Sequence, residues 1–139
     1  ALDKAVNPER PLSKAGIEQS SAVALQIHAS DITVSQIFHS GKLRARQTAE
    51  IFAEHLSVTS VTAIDKLSPN DDVTLIAQNL QTNDALYVGH LPHLEKLVSY
   101  LVTGNANANI IKFQNSAVVC LETSENHYQL RWYLTPELV

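Results

Sequence analysis

The chain of 139 residues has one cysteine, no methionine and four glycines, and aromatic residues make up only 6% of it. A single thiol, Cys120, excludes both an internal disulfide framework and a metal site built from several cysteines. No apolar run approaches the roughly 20 residues that a membrane-spanning helix needs, and no signal peptide is visible. We therefore expect a protein without a membrane segment, located in the reducing cytoplasm.

Basic residues are also scarce, since 10 Lys and Arg stand against 14 Asp and Glu and give a formal net charge of −4. An acidic chain lacks the broad basic face that general nucleic-acid binding requires, although one local basic site remains possible. Hydrophobic residues make up 45% of the chain, which is enough to bury a core. With no linker or internal repeat in view, we expect residues 1–139 to form a single domain.

Helical and strand patterns alternate along the chain. The patterns predict a helix capped by Ser13, a strand near 33–40, a helix ending at about Leu56, a short strand, a helix capped by Asn70 or Asp71, a strand ending at Gly89, a helix stopped by Gly104, and two strands joined through Ser124, Glu125 and Asn126. This alternation is typical of βαβ units. We predict an α/β fold with three α/β/α layers, a mostly parallel sheet and a C-terminal hairpin.

One candidate site lies in the stretch "IFHSGKLRARQT", where a strand ends near His39 and a helix begins. Ligands of open α/β sheets bind at the carboxyl ends of strands, and a helix N-terminus presents free N–H groups to anions. Residues two apart on a helix are separated by about 200°. Lys42 and Arg46 therefore share one side, and we expect Arg44 to serve the junction while the other two are solvated.

A second candidate lies in "LYVGHLPHLEKL", where Gly89 and His90 end a strand before another helix. A lone histidine there is often only a hydrogen-bonded loop residue, but an arginine on the same edge favours a functional site. A guanidinium binds two phosphate oxygens, and an imidazole donates a proton or hydrogen bond to developing charge. Because no acidic partner accompanies His90 and His93, we predict no metal site.

The combination of these motifs resembles a known family. The stretch "SGKLRARQTA" from Ser40 to Ala49, followed some forty residues later by Gly89-His90-Leu91-Pro92, resembles the histidine phosphatase superfamily, and "RPLSKAG" together with the short length narrows this to its small SixA-like branch. The resemblance implies a phosphoglycerate mutase-like fold, catalysis without a metal or organic cofactor, and a covalent phosphohistidine intermediate. It assigns the family's second arginine to Arg44 and its second histidine to His90, as catalytic and phosphate-binding residues.

The same resemblance implies a first strand that ends in Arg-His-Gly and carries the nucleophilic histidine. That strand is expected ahead of "ALDKAVNPERPLS", and the sequence does not contain it. His39 is the only conceivable substitute, and we interpret it instead as a residue that shapes the pocket. Either the natural protein has further residues before Ala1, which the absent methionine favours, or the protein binds phosphorylated partners without hydrolysing them.

Two further residues are weaker candidates. Arg10 follows the expected motif and could reach the phosphate or a protein substrate, although a surface salt bridge is the simpler reading. Ser116 begins the penultimate strand and could offer a hydroxyl to the pocket, or it could be only a strand-start residue.

Short connections between helices and strands predict an open, shallow pocket, because no long insertion is available as a lid. Such a pocket suits a phosphorylated side chain on a protein, and the resemblance implies phosphohistidine, in particular on a histidine-containing phosphotransfer domain. The alternatives are a phosphomonoesterase for a small metabolite and a non-catalytic module that binds phosphoproteins.

Overall fold

The computed structural model describes residues 10–80, 83–125 and 127–139. Its elements, in chain order, are α1 Lys14–Ala29, β1 Gln36–His39, α2 Leu43–Leu56, β2 Val61–Ala63, α3 Val73–Ala77, β3 Ala85–Val88, α4 His93–Thr103, β4 Val118–Ser124, β5 His127–Leu134 and a final 3-10 turn, Pro136–Leu138. In these ranges, none of the helices is both long and apolar enough to cross a membrane. The predicted turn residue Asn126 lies outside the described residues.

The strands form one parallel sheet and one antiparallel hairpin. The sheet has the order β2-β1-β3, and β1 pairs in parallel with both neighbours. His39, the last residue of β1, is level with Ala63 of β2 and Val88 of β3, so all three strands end at one edge. We call this the carboxyl edge. β4 and β5 pair separately, which confirms the predicted parallel sheet and C-terminal hairpin.

Two hydrophobic clusters lie on opposite faces of the sheet. Ile37 of β1 is fully buried in a cluster with α1 and α2 that includes Val23 and Phe52. Tyr87 of β3 instead packs against the second cluster, which contains Ile76 of α3 and Leu97 of α4. Since successive strand residues point to opposite faces, the clusters define the three predicted layers.

Helix ends follow local capping chemistry, with one correction. The Ser13 side chain accepts a hydrogen bond from the N–H of Gly16 and caps α1, as predicted. The predicted caps of α3, Asn70 or Asp71, are wrong, because Asp72 accepts from the N–H of Thr74 and caps the helix. The Asp71 carboxylate instead accepts from the N–H of Ser68 and closes the preceding turn. Both aspartates satisfy free amides, and adjacent acceptors are not distinguished by pattern alone.

The outer edges of β3 and β4 have no strand partner within the described ranges. Residues of both strands nevertheless pack against the same cluster under α1 and α2, among them Val88 of β3 and Val118 of β4. Each of these two half-buried strands therefore has one row of backbone N–H and C=O groups without a strand partner among the described residues. Such an arrangement is costly for a sheet.

Candidate functional site

The two predicted junctions meet at the carboxyl edge. β1 and β3 are neighbours, so the turns that follow them are adjacent. Ser40 Oγ lies 2.6 Å from His90 Nε2, and the direction of this hydrogen bond depends on the tautomer of His90. His90 is only 8% exposed, which leaves its ring at the base of the junction with one nitrogen fixed by the serine.

The turn after β1 is held by its own side chains. Gly41 has φ +86°, a left-handed conformation that favours glycine. Its N–H donates to His39 Nδ1 at 3.1 Å, so this nitrogen is unprotonated. Burial lowers the pKa of His39, with a smaller contribution from Arg46 and an opposing one from Glu50. A neutral His39, 6% exposed and engaged with the turn, fits the predicted role of shaping the pocket.

The first turn of α2 offers a seat for an anion. Lys42 occupies the N-cap position without a side-chain hydrogen bond to the helix, so the first amides of α2 stay available. Arg44 lies in this turn and is half-buried, whereas Arg46 is exposed and forms an ion pair with Glu50 at 3.7 Å. Unneutralised amides, the helix dipole and a guanidinium all favour negative charge at this place.

Arg10 lies close enough to Arg44 to influence it electrostatically. Burial is the main cause that lowers the pKa of Arg44, and the positive charge of Arg10 lowers it further. The segment is held in place because the N–H of Leu12 donates to Oε1 of Gln47, one turn into α2, at 2.7 Å. Two guanidiniums at one half-buried position raise the local positive potential, and a bound anion would relieve their repulsion.

The turn after β3 is a tight bend. A Cβ at Gly89 would lie 3.2 Å from Leu94 Cδ2 and 3.4 Å from the Leu67 carbonyl oxygen, so a side chain there would fit only if Leu94 shifted by a few tenths of an ångström. Leu91-Pro92 is a cis peptide, and the N–H of Leu94 donates to the His90 carbonyl oxygen at 2.9 Å. Like α2, α4 begins without a side-chain cap, so two helix N-termini flank His90.

Directly behind this bend lies His93, the first residue of α4. It is 1% exposed, and neither ring nitrogen has a hydrogen-bond partner among the residues that the structure describes. Burial lowers the pKa of His93, while the Asp71 carboxylate and the Lys66 backbone oppose this more weakly. The ring is therefore neutral and acts as packing between α4 and the loop after β2, a role that its polar character hides in the sequence.

Ser116 makes a contact with α1. It has φ +63°, an uncommon conformation for a residue with a side chain. Its Oγ lies 3.3 Å from the hydroxyl of Ser20, which is almost fully buried. The predicted contribution of Ser116 to a phosphate pocket stays a prediction.

Sequence reasoning did not identify Ser40 or Gln47 as functional. For Ser40, the signal that could have identified it is a hydroxyl at a strand end that precedes a predicted anion site. Gln47 acts across 35 residues, and nothing local in the sequence indicates its contact with Leu12. Among the residues that the structure describes, no group of three His, Cys, Asp or Glu side chains is placed to hold a metal ion.

Comparison with known proteins supports the fold and the resemblance. The sequence profile of the histidine phosphatase superfamily (branch 1) matches residues 6–68. Phosphohistidine phosphatase SixA of Escherichia coli (strain K12) is 29% identical over 144 residues, covering 98% of this chain and 88% of that protein. The structure of the protein histidine phosphatase SixA complexed with tungstate has a TM-score of 0.87 at 29% identity, covering 99% of this chain and 92% of that chain.

A SixA protein from Agrobacterium tumefaciens has the same fold, with a TM-score of 0.74 at 23% identity over 92% of this chain and 87% of that chain. The matched profile spans "RPLSKAG" and "SGKLRARQTA", the motifs that surround Arg10 and Arg44. Motifs, alignment and fold agree along nearly the whole chain, and together they support a SixA-like protein of the histidine phosphatase superfamily.

Proposed function

We propose that the protein is a phosphohistidine phosphatase that acts on phosphorylated histidine in a partner protein. One observation carries this proposal: Ser40 Oγ and His90 Nε2 are 2.6 Å apart, which joins the turn after β3 to the turn from which Arg44 emerges. A cation and an imidazole are thereby available to one tetrahedral anion. The similarity to proteins named phosphohistidine phosphatase SixA and protein histidine phosphatase SixA supports the choice of substrate.

Arg44 is the main phosphate-binding residue in this proposal. Its guanidinium contributes two parallel hydrogen bonds to phosphoryl oxygens, and the first amides of α2 add uncharged donors. Arg10 increases the positive potential and is proposed as a second contact. His90 stabilises the charge on the phosphoryl oxygens during transfer, with Ser40 holding its ring in position.

The nucleophile belongs to the expected Arg-His-Gly segment, which we place as a strand between β3 and β4. The two free strand edges that pack on one cluster support this position. A ring nitrogen of the attacking histidine forms a bond to phosphorus as the N–P bond of the substrate histidine breaks, and the leaving imidazole takes up a proton. Water then attacks the phosphorylated enzyme, which releases inorganic phosphate and restores the histidine.

A protein substrate is favoured by the short connections around the carboxyl edge. The turns after β1 and β3 have only a few residues before α2 and α4 begin, and none of them is long enough to form a lid. A phosphorylated side chain on another protein can therefore approach the edge. We propose a histidine-containing phosphotransfer domain as this class of partner, in the cytoplasm.

The test begins with the residues that the gene encodes immediately before Ala1. The protein carrying whatever residues precede Ala1 is incubated with a phosphohistidine-bearing phosphotransfer domain, free phosphohistidine and an aryl phosphate. We expect an upstream Arg-His-Gly and release of inorganic phosphate from the phosphoprotein. We also expect a phosphorylated enzyme intermediate that can be trapped and whose phosphoryl group is lost in acid, as for phosphohistidine. Release from the aryl phosphate alone would assign the protein to metabolite phosphomonoesterases, and binding without release would make it a phosphoprotein-binding module.

A further inference from the structure

Charge is unevenly distributed around the carboxyl edge. Residues 10–46 contain five basic and two acidic residues, although the whole chain has 10 basic and 14 acidic ones. One of those two acids, Asp31, follows the C-terminal end of α1 and lies away from the edge. The five cations belong to the first turns of α1 and α2 and the segments before them: Arg10, Lys14, Lys42, Arg44 and Arg46.

These cations share one side of the edge because α1 and α2 begin side by side. The bond from the N–H of Leu12 to Gln47 joins the residues just before α1 to the second turn of α2. Lys14 opens α1 and Lys42 caps α2, and both side chains are exposed. Arg46 is exposed as well, although Glu50 partly neutralises it. We call the exposed pair Lys14 and Lys42, with Arg46, the basic shoulder.

The sign of the charge reverses on the neighbouring part of the edge. The loop after β2 that leads to α3 contains Asp65, Asp71 and Asp72 against a single cation, Lys66. A charged partner that reaches His90 therefore meets a positive surface on the α1–α2 side and a negative one on the α3 side. Such a polarised rim orients a partner as well as attracting it, because the wrong orientation brings like charges together.

We propose that the basic shoulder binds acidic side chains that flank the phosphorylated histidine of a protein partner. This inference rests on the proposed function and adds to it the charge of the partner surface. The Lys14 and Lys42 side chains are exposed, whereas those of Arg44 and Arg10 are half-buried. We therefore assign the charge of the phosphate pocket to the two arginines and contacts with flanking residues to the two lysines. The shoulder thus acts on protein partners and leaves small phosphorylated molecules unaffected, and its effect is screened by salt.

Three peptides test this inference by binding. Each contains a non-hydrolysable phosphonate analogue of phosphohistidine, flanked by four glutamates, four glutamines or four lysines. At low salt we expect the glutamate peptide to bind about 5- to 10-fold more tightly than the glutamine peptide, and the lysine peptide more weakly than both, as for several exposed charge pairs. In 0.5 M NaCl the order should collapse to near equality.

The variant Lys14→Gln/Lys42→Gln should lose the preference for the glutamate peptide while binding the glutamine peptide within about twofold of the parent. A matched control, Gln26→Glu/Asn83→Asp, changes net charge by the same amount with isosteric substitutions at exposed positions of the last turn of α1 and just before β3, away from the carboxyl edge. It should keep the preference. A preference that survives in the lysine variant, or disappears equally in the control, would overturn the assignment of the shoulder.

Hydrolysis of free phosphohistidine, measured on the same proteins, separates this inference from the proposed function. Wild type and both double variants should hydrolyse it at equal rates, since no flanking residues are present. If none of the proteins hydrolyses it, the proposed catalysis is wrong, but the peptide affinities still test whether the basic shoulder binds acidic flanking residues. If hydrolysis is normal and the three peptides bind equally, the shoulder is wrong and the catalytic proposal stands.

Discussion

Ser40 Oγ lies 2.6 Å from His90 Nε2, although 50 residues separate the two in the chain. The N–H of Lys42 donates to the same hydroxyl at 3.3 Å. One serine thus connects the start of α2 with the histidine that follows β3. We regard Ser40 as a positioning residue, because it acts on the phosphoryl group only through the orientation of the His90 ring.

Replacing Ser40 by alanine should lower kcat about 3- to 10-fold, the effect of one hydrogen bond of about 0.5–1.5 kcal/mol, and should leave KM nearly unchanged. Ser40→Thr keeps the hydroxyl and should restore most of the activity. Ser30→Ala removes a hydroxyl at the C-cap of α1 and serves as the control. An equal loss in the alanine and threonine variants would show that packing, and not the hydrogen bond, is responsible.

Arg44→Ala should weaken tungstate or phosphate binding by roughly 10- to 100-fold, because charge-assisted hydrogen bonds contribute about 1.5–3 kcal/mol each. The matched control is Arg46→Ala, two residues along the same helix, whose side chain is exposed and paired with Glu50. Isothermal titration calorimetry measures both. Equal affinities of the two variants would place the anion site elsewhere.

His90→Ala should slow hydrolysis of phosphohistidine by about 100-fold or more, the usual effect of removing acid–base or electrostatic help at a reacting phosphoryl group. His28→Ala, at an exposed position near the end of α1, is the control for loss of an imidazole. Single-turnover kinetics separate the chemical step from product release. Unchanged single-turnover rates in His90→Ala would remove this residue from the mechanism.

Buried His93 should make the protein less stable in acid. Its pKa is lowered from 6.5 in the folded protein, so as the pH falls below about 6.5 the unfolded chain takes up the proton first. Folding stability therefore decreases as the pH falls, and the part of it due to His93 is fully present only above that value. His93→Leu should flatten the dependence between pH 7.5 and 5.0 in urea denaturation.

His28→Leu is the matched control for His93→Leu, since it removes an imidazole whose side chain is exposed. Its pH dependence should follow that of the parent. A parent-like slope in His93→Leu would mean that other groups cause the acid sensitivity.

Alanine substitutions at two glycines with a left-handed backbone distinguish an effect on folding stability from an effect on anion binding. Gly41 has φ +86° in the turn after β1, and Gly104 has φ +81° at the end of α4, with no clash at either position for an added methyl group. Alanine at each should cost about 1–2 kcal/mol of folding free energy. Only Gly41→Ala should also weaken tungstate binding, because only its turn positions Ser40 and the start of α2.

The local sequence pattern was sufficient to predict helix ends that are fixed by a capping side chain or by a glycine. Ser13 caps α1 and Gly104 ends α4 in the left-handed conformation, both as predicted. The failure at α3 shows the limit, because Asp71 and Asp72 offer the same acceptor and only the loop geometry decides which one caps. The alternation of helix and strand predicted a parallel sheet. The pairing of β3 with β1, which brings His90 next to the β1 turn, is a finding of the structure.

The individual side-chain contacts of the site could not be predicted from the sequence. The contacts of Ser40 with His90 and of Leu12 with Gln47 join residues 50 and 35 positions apart, and neither has a periodic signal. Nothing in the sequence around His93, at a helix start, indicates that its side chain is only 1% exposed. Long-range contacts of single side chains depend on packing, which a linear pattern does not encode.

β1 is paired on both sides, and two of its four residues are buried. In native-state hydrogen exchange, the amides of such a central strand are typically among the last to open, whereas short helices like α3 fluctuate first. His39, Ser40 and Gly41 continue directly from β1 and share its rigidity. Local opening of the periphery should therefore leave the geometry of the proposed anion site unchanged.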